Sequence, residues 1–441
     1  MLAYLLFIIS LIIFLFFFYI LGKEWYAPYT LYCVPFILIM VIGAVNQEFW
    51  GYALGFETFV VFFFNIFFFL FGCALATKIY LKKRITISCQ KTFSINNWKL
   101  TIIFCIIAFT FIYFYKILLD YGTQNGMSLT ETINYVMVLS KFESDVVTIH
   151  KPIILKFLIL FVEIMPYVLS YWIARRLILK DGTSLILLLA CFIGCLCFLF
   201  LNGSRGPLVE CFVAFGIAIG IIYFQKTNKK IFPLKIIIPI GIGVSVLAIS
   251  FFAILPYMGR TDTANTLIDS IYQYLGSQIH NFDYWVTNKL TYSTGFLANT
   301  LSAFYEDINT FFNIDVYKNF SKVSLFFVTS KTGHDMGNVF TCLFSYYADG
   351  GLIGVILFTF LSGFISEKVY LGIKSENGLT NISFPVYLLI GVSLIFSFFG
   401  SRFYVYIVNL KIIIKLIYVI VLYFFISNSG ITIQYVKEEV E

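Results

Sequence analysis

Apolar runs of eighteen or more residues recur from one end of this chain to the other, with few charges inside them. A helix of that length crosses a bilayer core of roughly 30 Å. Continuous runs, as opposed to alternating polar and apolar residues, select helices over a membrane β-barrel. Composition points the same way. Of 441 residues, 60% are hydrophobic and 12% charged, where a soluble domain carries roughly a quarter charged. The reading is an all-α polytopic membrane protein. The first run, Leu2 to Leu21, has neither a basic start nor a small-residue cleavage site, so it is expected to be a retained helix. The nine cysteines lie mostly in apolar runs, as at Cys191, Cys195 and Cys197, and read as small buried hydrophobes. No CxxC pair or His/Cys cluster suggests a metal site.

About eleven transmembrane helices are expected, near 2–21, 27–45, 57–77, 100–119, 152–174, 184–201, 207–224, 232–255, 338–366, 383–400 and 404–427. Lysine and arginine in short loops mark the cytoplasmic side. Lys78, Lys82, Lys83, Arg84, Lys91 and Lys99 fill one connection, Arg175, Arg176 and Lys180 a second, and Lys226, Lys229 and Lys230 a third. Two spans separate each successive pair, so the parity is self-consistent. It also accounts for the net charge of +7 without a nucleic-acid partner. The connections 46–56, 120–151, 202–206, 256–337 and 401–403 then lie outside. Three regions follow: helices 1–8 with an external loop at 120–151 (1–255), a long external loop (256–337), and helices 9–11 with a cytoplasmic tail (338–441). Lys411 and Lys415 leave two readings of the last span. Either they face a polar cavity, or 402–411 lies at the interface and the span begins later.

Three arginines gather on the external side: Arg205 in "NGSRGPLVE", Arg260 in "LPYMGRTD" and Arg402 in "FFGSRFY". The positive-inside bias disfavours such charges, and a guanidinium fork suits a pyrophosphate. The plain alternative is snorkelling to lipid headgroups, or pairing with an acid such as Glu210. Glu163 and Glu210 fall inside spans and face the bundle interior on this reading. The long loop ends in "GHDMGNVFTCLFSYYADGGLIG", which carries His334, Asn338, Tyr347 and Asp349. The Asp-Gly-Gly interruption suggests a broken or re-entrant element near 338–350, since non-helical backbone at membrane depth must be buried in protein or line a wet cavity. Asp349 is therefore a functional candidate, with a helix cap as the alternative. His280 and Asp283, in "LGSQIHNFDYWV", read either as a sugar-contacting surface or as the amphipathic face of a loop helix.

At these residues the chain resembles the bacterial oligosaccharide repeat-unit polymerases (Wzy-type, for O-antigen or capsule), within the O-antigen ligase superfamily. The superfamily's pattern of a His-Asn pair, an aromatic residue and then an acid with glycine falls here on His334, Asn338 and Asp349–Gly350. His334 is followed by Asp335 instead of Asn, and the spacing to the acid is longer. The resemblance implies a multi-pass protein of the bacterial inner membrane working in lipopolysaccharide or capsule synthesis. Its substrate would be an undecaprenyl-pyrophosphate-linked oligosaccharide. Repeat units would be joined at the periplasmic face with release of undecaprenyl pyrophosphate, with a chain-length regulator and a flippase as partners. Arg205, Arg260 and Arg402 would hold the pyrophosphate. His334, Asp349 or His280 would act as base, and Asp283, Asn338 and Tyr347 would contact substrate. With a good leaving group and cations to neutralise it, the reaction needs neither metal nor other cofactor. An O-antigen ligase or other lipid-linked glycosyltransferase would look much alike. A flippase or exporter of lipid-linked sugars would need charges along several spans facing a central cavity.

Overall fold

The computed structural model describes residues 1–81, 95–142, 151–201, 205–227, 274–288, 291–312, 314, 316–318, 321–375 and 382–426. Helices dominate. In chain order they are α1 (Leu2–Ile20), α2 (Pro28–Val45), α3 (Gln47–Trp50), α4 (Phe56–Leu81), α5 (Asn97–Gln124), α6 (Leu129–Phe142), α7 (Ile153–Leu179) and α8 (Leu185–Leu201). There follow α9 (Arg205–Thr227), α10 (Ser277–Asn288), α11 (Ser302–Phe312), α12 (Cys342–Ser375), α13 (Ser383–Ile395), α14 (Arg402–Ile407) and α15 (Leu410–Ile426). Among the described residues the strands are β1 (Val328–Thr329) and β2 (Asp335–Gly337), an antiparallel pair.

Seven of the described helices, α1, α2, α4, α5, α7, α9 and α12, are long and apolar enough to cross a membrane; α8 and the stretch Ser383–Phe398 are shorter apolar helices. The expected span at 232–255, and Arg260 beyond it, lie outside the described residues. The last expected span divides. α14 stops at Ile407 and α15 starts at Leu410.

The packing of α4 on α12 depends on absent side chains. A Cβ on Gly72 would come within 2.4 Å of the Phe360 carbonyl oxygen, and one on Gly363 within 2.2 Å of the Phe69 carbonyl oxygen. Small residues let two backbones approach in a bilayer, where lipid competes equally for larger apolar side chains. Cys73 adds a thiol hydrogen bond to the Gly363 carbonyl at 3.4 Å. Beside this seam, Tyr32 stacks on Phe69 at 3.8 Å and donates to the Asn65 side-chain oxygen at 2.6 Å.

Near 338–350, the expected place of a re-entrant element, α12 is broken. Cys342 to Asp349 is helical, then Gly350 and Gly351 leave helical geometry, with Gly351 at φ 57°, ψ −146°. That region is open essentially to glycine alone. The bend brings the Tyr346 carbonyl oxygen within 2.3 Å of where a Gly354 Cβ would stand. The Gly-Gly-x-x-Gly pattern thus serves one bend.

Ties between connections sort into the two ends that the charge parity assigns. At one end, Glu24 accepts from Lys374 at 2.6 Å, Ile95 N–H donates to the Thr183 hydroxyl oxygen at 3.1 Å, and Lys99 reaches the Ile426 carbonyl at 3.3 Å. At the other end, which carries the long loop, Thr332 donates to the Phe49 carbonyl at 2.8 Å and Gly55 N–H to Asp283 at 2.8 Å. This second end is called the loop face below.

Replacing either seam glycine forces the two backbones apart. Gly363→Leu is expected to lower stability by about 1–3 kcal/mol, read as an earlier melting transition of the detergent-solubilised protein. Gly206→Ala, where a Cβ meets open space, should melt close to the parent.

Candidate functional site

The loop-face ends of α7, α9, α14 and α15 hold a set of charged residues that the packing brings together. Arg402 opens α14 and donates from its guanidinium to the Tyr406 hydroxyl at 3.1 Å, one helical turn on. Tyr406 in turn donates to the Glu210 carboxylate, 2.7 and 2.9 Å from its two oxygens. Glu210 lies in the second turn of α9 and is buried. On α15, Lys415 pairs with Glu163 of α7 at 2.9 Å, and Lys411 pairs with Asp307 of α11 at 2.7 Å. The 402–407 stretch is separate from the last apolar helix, and the two lysines face carboxylates.

Asp307 fixes this arrangement. Besides Lys411, it accepts the N–H groups of Leu410 at 3.0 Å and Lys411 at 3.2 Å, while Asn409 accepts from Ile412 N–H at 2.6 Å. Three of the four backbone donors that a helix start leaves open are thereby satisfied. At membrane depth such groups need an internal partner. The break between α14 and α15 turns the chain, and Asp307 with Asn409 makes the new start tolerable.

Arg402 keeps capacity to spare. A guanidinium has five N–H donors, and the Tyr406 contact occupies one of them. Arg402 remains partly exposed. Arg205 begins α9 on the same face, five residues before Glu210.

The residues expected to act as bases separate. Asp349 is a tie. It accepts from the Ser293 hydroxyl at 2.6 Å, from Asn299 N–H at 3.0 Å and side-chain amide at 3.4 Å, and from Thr300 N–H at 2.6 Å. It pins the turn that leads into α11, and does not cap the span that follows it. His280 is 4% exposed and meets the Tyr52 ring edge-on at 4.8 Å. Asp283 is turned inward too, holding Gly55 N–H at the start of α4. The sequence 277–288 is thus the amphipathic helix α10, with these two residues on its buried side. Burial pushes the His280 imidazole below its ordinary value and the Asp283 carboxyl above its own. His334, like Asp349, is partly exposed, and its ring stacks on Phe49 at 4.2 Å. Its backbone N–H donates to the Ser330 hydroxyl oxygen at 2.9 Å in the β1–β2 turn.

Tyr347 is buried and donates to Glu57 at the start of α4, with Phe282 and Trp285 against its ring. Asn338 is partly exposed in a segment held by Asn281, whose side-chain amide donates to the Met336 and Val339 carbonyls at 3.0 Å each. The sequence signal for Glu163, Glu210, Lys411 and Lys415 was their charge at membrane depth. Asp307 and Tyr406 carried no signal, because one lies in a polar loop and the other in an aromatic run.

Compared with known proteins, the chain matches no family model, no curated sequence and no solved structure.

The His280 environment fixes the sign of a pH effect. Its folded-state affinity for a proton is depressed, so the unfolded chain binds the proton more readily. Stability is then full above the unfolded value of about 6.5 and falls as pH drops below it. Melting of the purified protein should move to lower temperature on acidification through that range, and His280→Asn should flatten that part of the profile.

Proposed function

We propose that the protein polymerises oligosaccharide repeat units carried on undecaprenyl pyrophosphate, with the loop face as the periplasmic face of the bacterial inner membrane. The observation that carries this reading is the partly exposed Arg402, with guanidinium donors unspent, beside Lys411 and Lys415 at the same membrane face. In the reaction, a hydroxyl of one unit attacks the anomeric carbon of the other unit's chain. The bond from that carbon to the pyrophosphate oxygen breaks, and the diphosphate departs with the electron pair. Negative charge grows on the leaving group as the bond stretches, and cations fixed in advance stabilise it without reorganising. Arg402 supplies a planar fork for two phosphate oxygens. Arg205 belongs to the same set by its place at the start of α9.

Glu210 and Tyr406 position Arg402. Their hydrogen bonds hold its side chain along α14 and occupy one of its five donors. The proton of the attacking hydroxyl goes to His334, which is partly exposed at the loop face, whereas the Asp349 carboxylate is taken up by Ser293, Asn299 and Thr300. The 291–312 segment, held by Asp349 at one end and by Lys411 through Asp307 at the other, forms the wall beside which the saccharide is handled.

Deleting the gene in its host should leave lipid carrier or lipid A capped by a single repeat unit on a glycan gel. A complete loss of capped product would turn the reading towards transport or ligation. In a complemented deletion, Arg402→Ala is expected to slow chain extension by about 10²–10³-fold. Arg402→Lys and Arg205→Lys, which keep charge but lose the fork, should also lose long chains. Tyr406→Phe should give a milder shortening, and ladders of parental length in all four would remove the arginines from the mechanism.

A further inference from the structure

Four large apolar residues of α11, Phe304, Ile308, Phe311 and Phe312, recur at the spacing of one helical face. Glu306, Asn309 and Thr310 stand opposite them and are exposed. An amphipathic helix ordinarily turns its apolar stripe to a protein core. Here Phe304 and Ile308 are half-buried, but Phe311 is 40% exposed, Phe312 64%, and Ile314 beyond the helix 55%. Left in water, these side chains oppose folding, because each keeps apolar surface that burial would remove.

Asp307 fixes which way the stripe faces. It precedes Phe311 by four residues, so the two are neighbours on one side of α11. Its carboxylate holds the Leu410 and Lys411 N–H groups and the Lys411 ammonium. α11 therefore packs at the loop-face end of α15 with the Phe311 side turned towards that helix. From there α15 runs beside α7, a helix long and apolar enough to cross a membrane. Ile413, Ile417, Ile420, Val421 and Phe424 form an exposed and wholly apolar stripe along α15. Phe311 and Phe312 continue that lipid-facing surface at its end. A second copy of the chain is a poorer occupant, since three partly exposed side chains fall short of the roughly 800 Å² that each partner gives to a stable complex. Exposed lysines follow at Lys318 and Lys322, as suits a segment beside lipid phosphates. Lys322 is tied back to the polar side of α11 by Glu306 at 2.9 Å.

We propose that α11 is seated in the lipid leaflet of the loop face, with Phe311, Phe312 and Ile314 among the acyl chains, and that this seating holds Asp307 on the start of α15. The partner is bulk bilayer lipid, and the proposal stands independently of the reaction proposed above. Its consequence for the ionic site is direct. Asp307 can satisfy Leu410, Lys411 and the Lys411 ammonium only while α11 stays at the end of α15, and the leaflet supplies the apolar contact that the protein does not.

The test uses the full chain in nanodiscs of phosphatidylcholine that include a phosphatidylcholine with a photoreactive acyl chain. Label is expected at Phe311–Ile314 as well as along the α15 stripe, which serves as the internal standard. Phe312→Asp should lower label at 308–314 by about tenfold, the effect of withdrawing one phenylalanine from lipid, and leave label on α15 unchanged. Asn309→Asp adds the same charge on the polar side and should label as the parent does. Hydrogen exchange at the Leu410 and Lys411 amides should quicken in Phe312→Asp and stay at the parental rate in Asn309→Asp. A parent protein labelled on α15 but not at Phe311–Ile314 would overturn the seating, whether water or a second copy covers the stripe. Equal label in Phe312→Asp and parent would do the same. Parental exchange at Leu410 and Lys411 in Phe312→Asp would overturn the coupling to Asp307.

Discussion

A single buried carboxylate, Asp307, meets two demands that the membrane makes at once. It accepts the open N–H groups at the start of α15 and also holds the Lys411 ammonium. Neither demand can be left unmet in a low-dielectric setting, because an unpaired backbone donor or an unpaired charge costs several kcal/mol there. With Asp307 in place, the chain can stop one helix at Ile407 and begin another at Leu410. That turn sets Arg402 and Tyr406 against Glu210 on one side, and Lys415 against Glu163 on the other. The ionic site is a consequence of how one helix is started.

Asp307 is itself positioned from a distance. α11, which carries it, follows a turn whose backbone N–H groups at Asn299 and Thr300 are held by Asp349. Asp349 sits at the last helical position before the Gly350–Gly351 break in α12. The break therefore ends a short helix where its last acid can reach the loop, and the loop returns an acid to the start of another helix. Asp349 and Asp307 together fasten the segment that meets Lys411 at the start of α15.

Much of the architecture was legible in the order of residues. Uninterrupted apolar runs gave the helices because each run alone satisfies the length and polarity that a bilayer requires. Lysine and arginine parity divided the connections between two ends, and the ties of Glu24 to Lys374 and of Gly55 to Asp283 respect that division. The Asp-Gly-Gly interruption announced a broken helix, since Gly351 adopts a conformation closed to other residues. These are local properties, written in neighbouring residues.

Partnership was not legible. Asp307 finds Lys411 across more than a hundred positions, and Glu163 finds Lys415 across more than two hundred. Nothing near either residue encodes the choice. His280 and Asp283 showed the same limit from the other direction. Their sequence left open a sugar-contacting surface or the amphipathic face of a loop helix, and the docking of α10 against α2 and α4 turned them inward. Composition and spacing determined that the chain is an all-α protein with several helices long and apolar enough to cross a membrane, because that follows from how each segment meets lipid and water. Which acid meets which cation, and which side of a helix is buried, was decided by packing between segments distant in sequence, since those energies exist only once the helices are side by side.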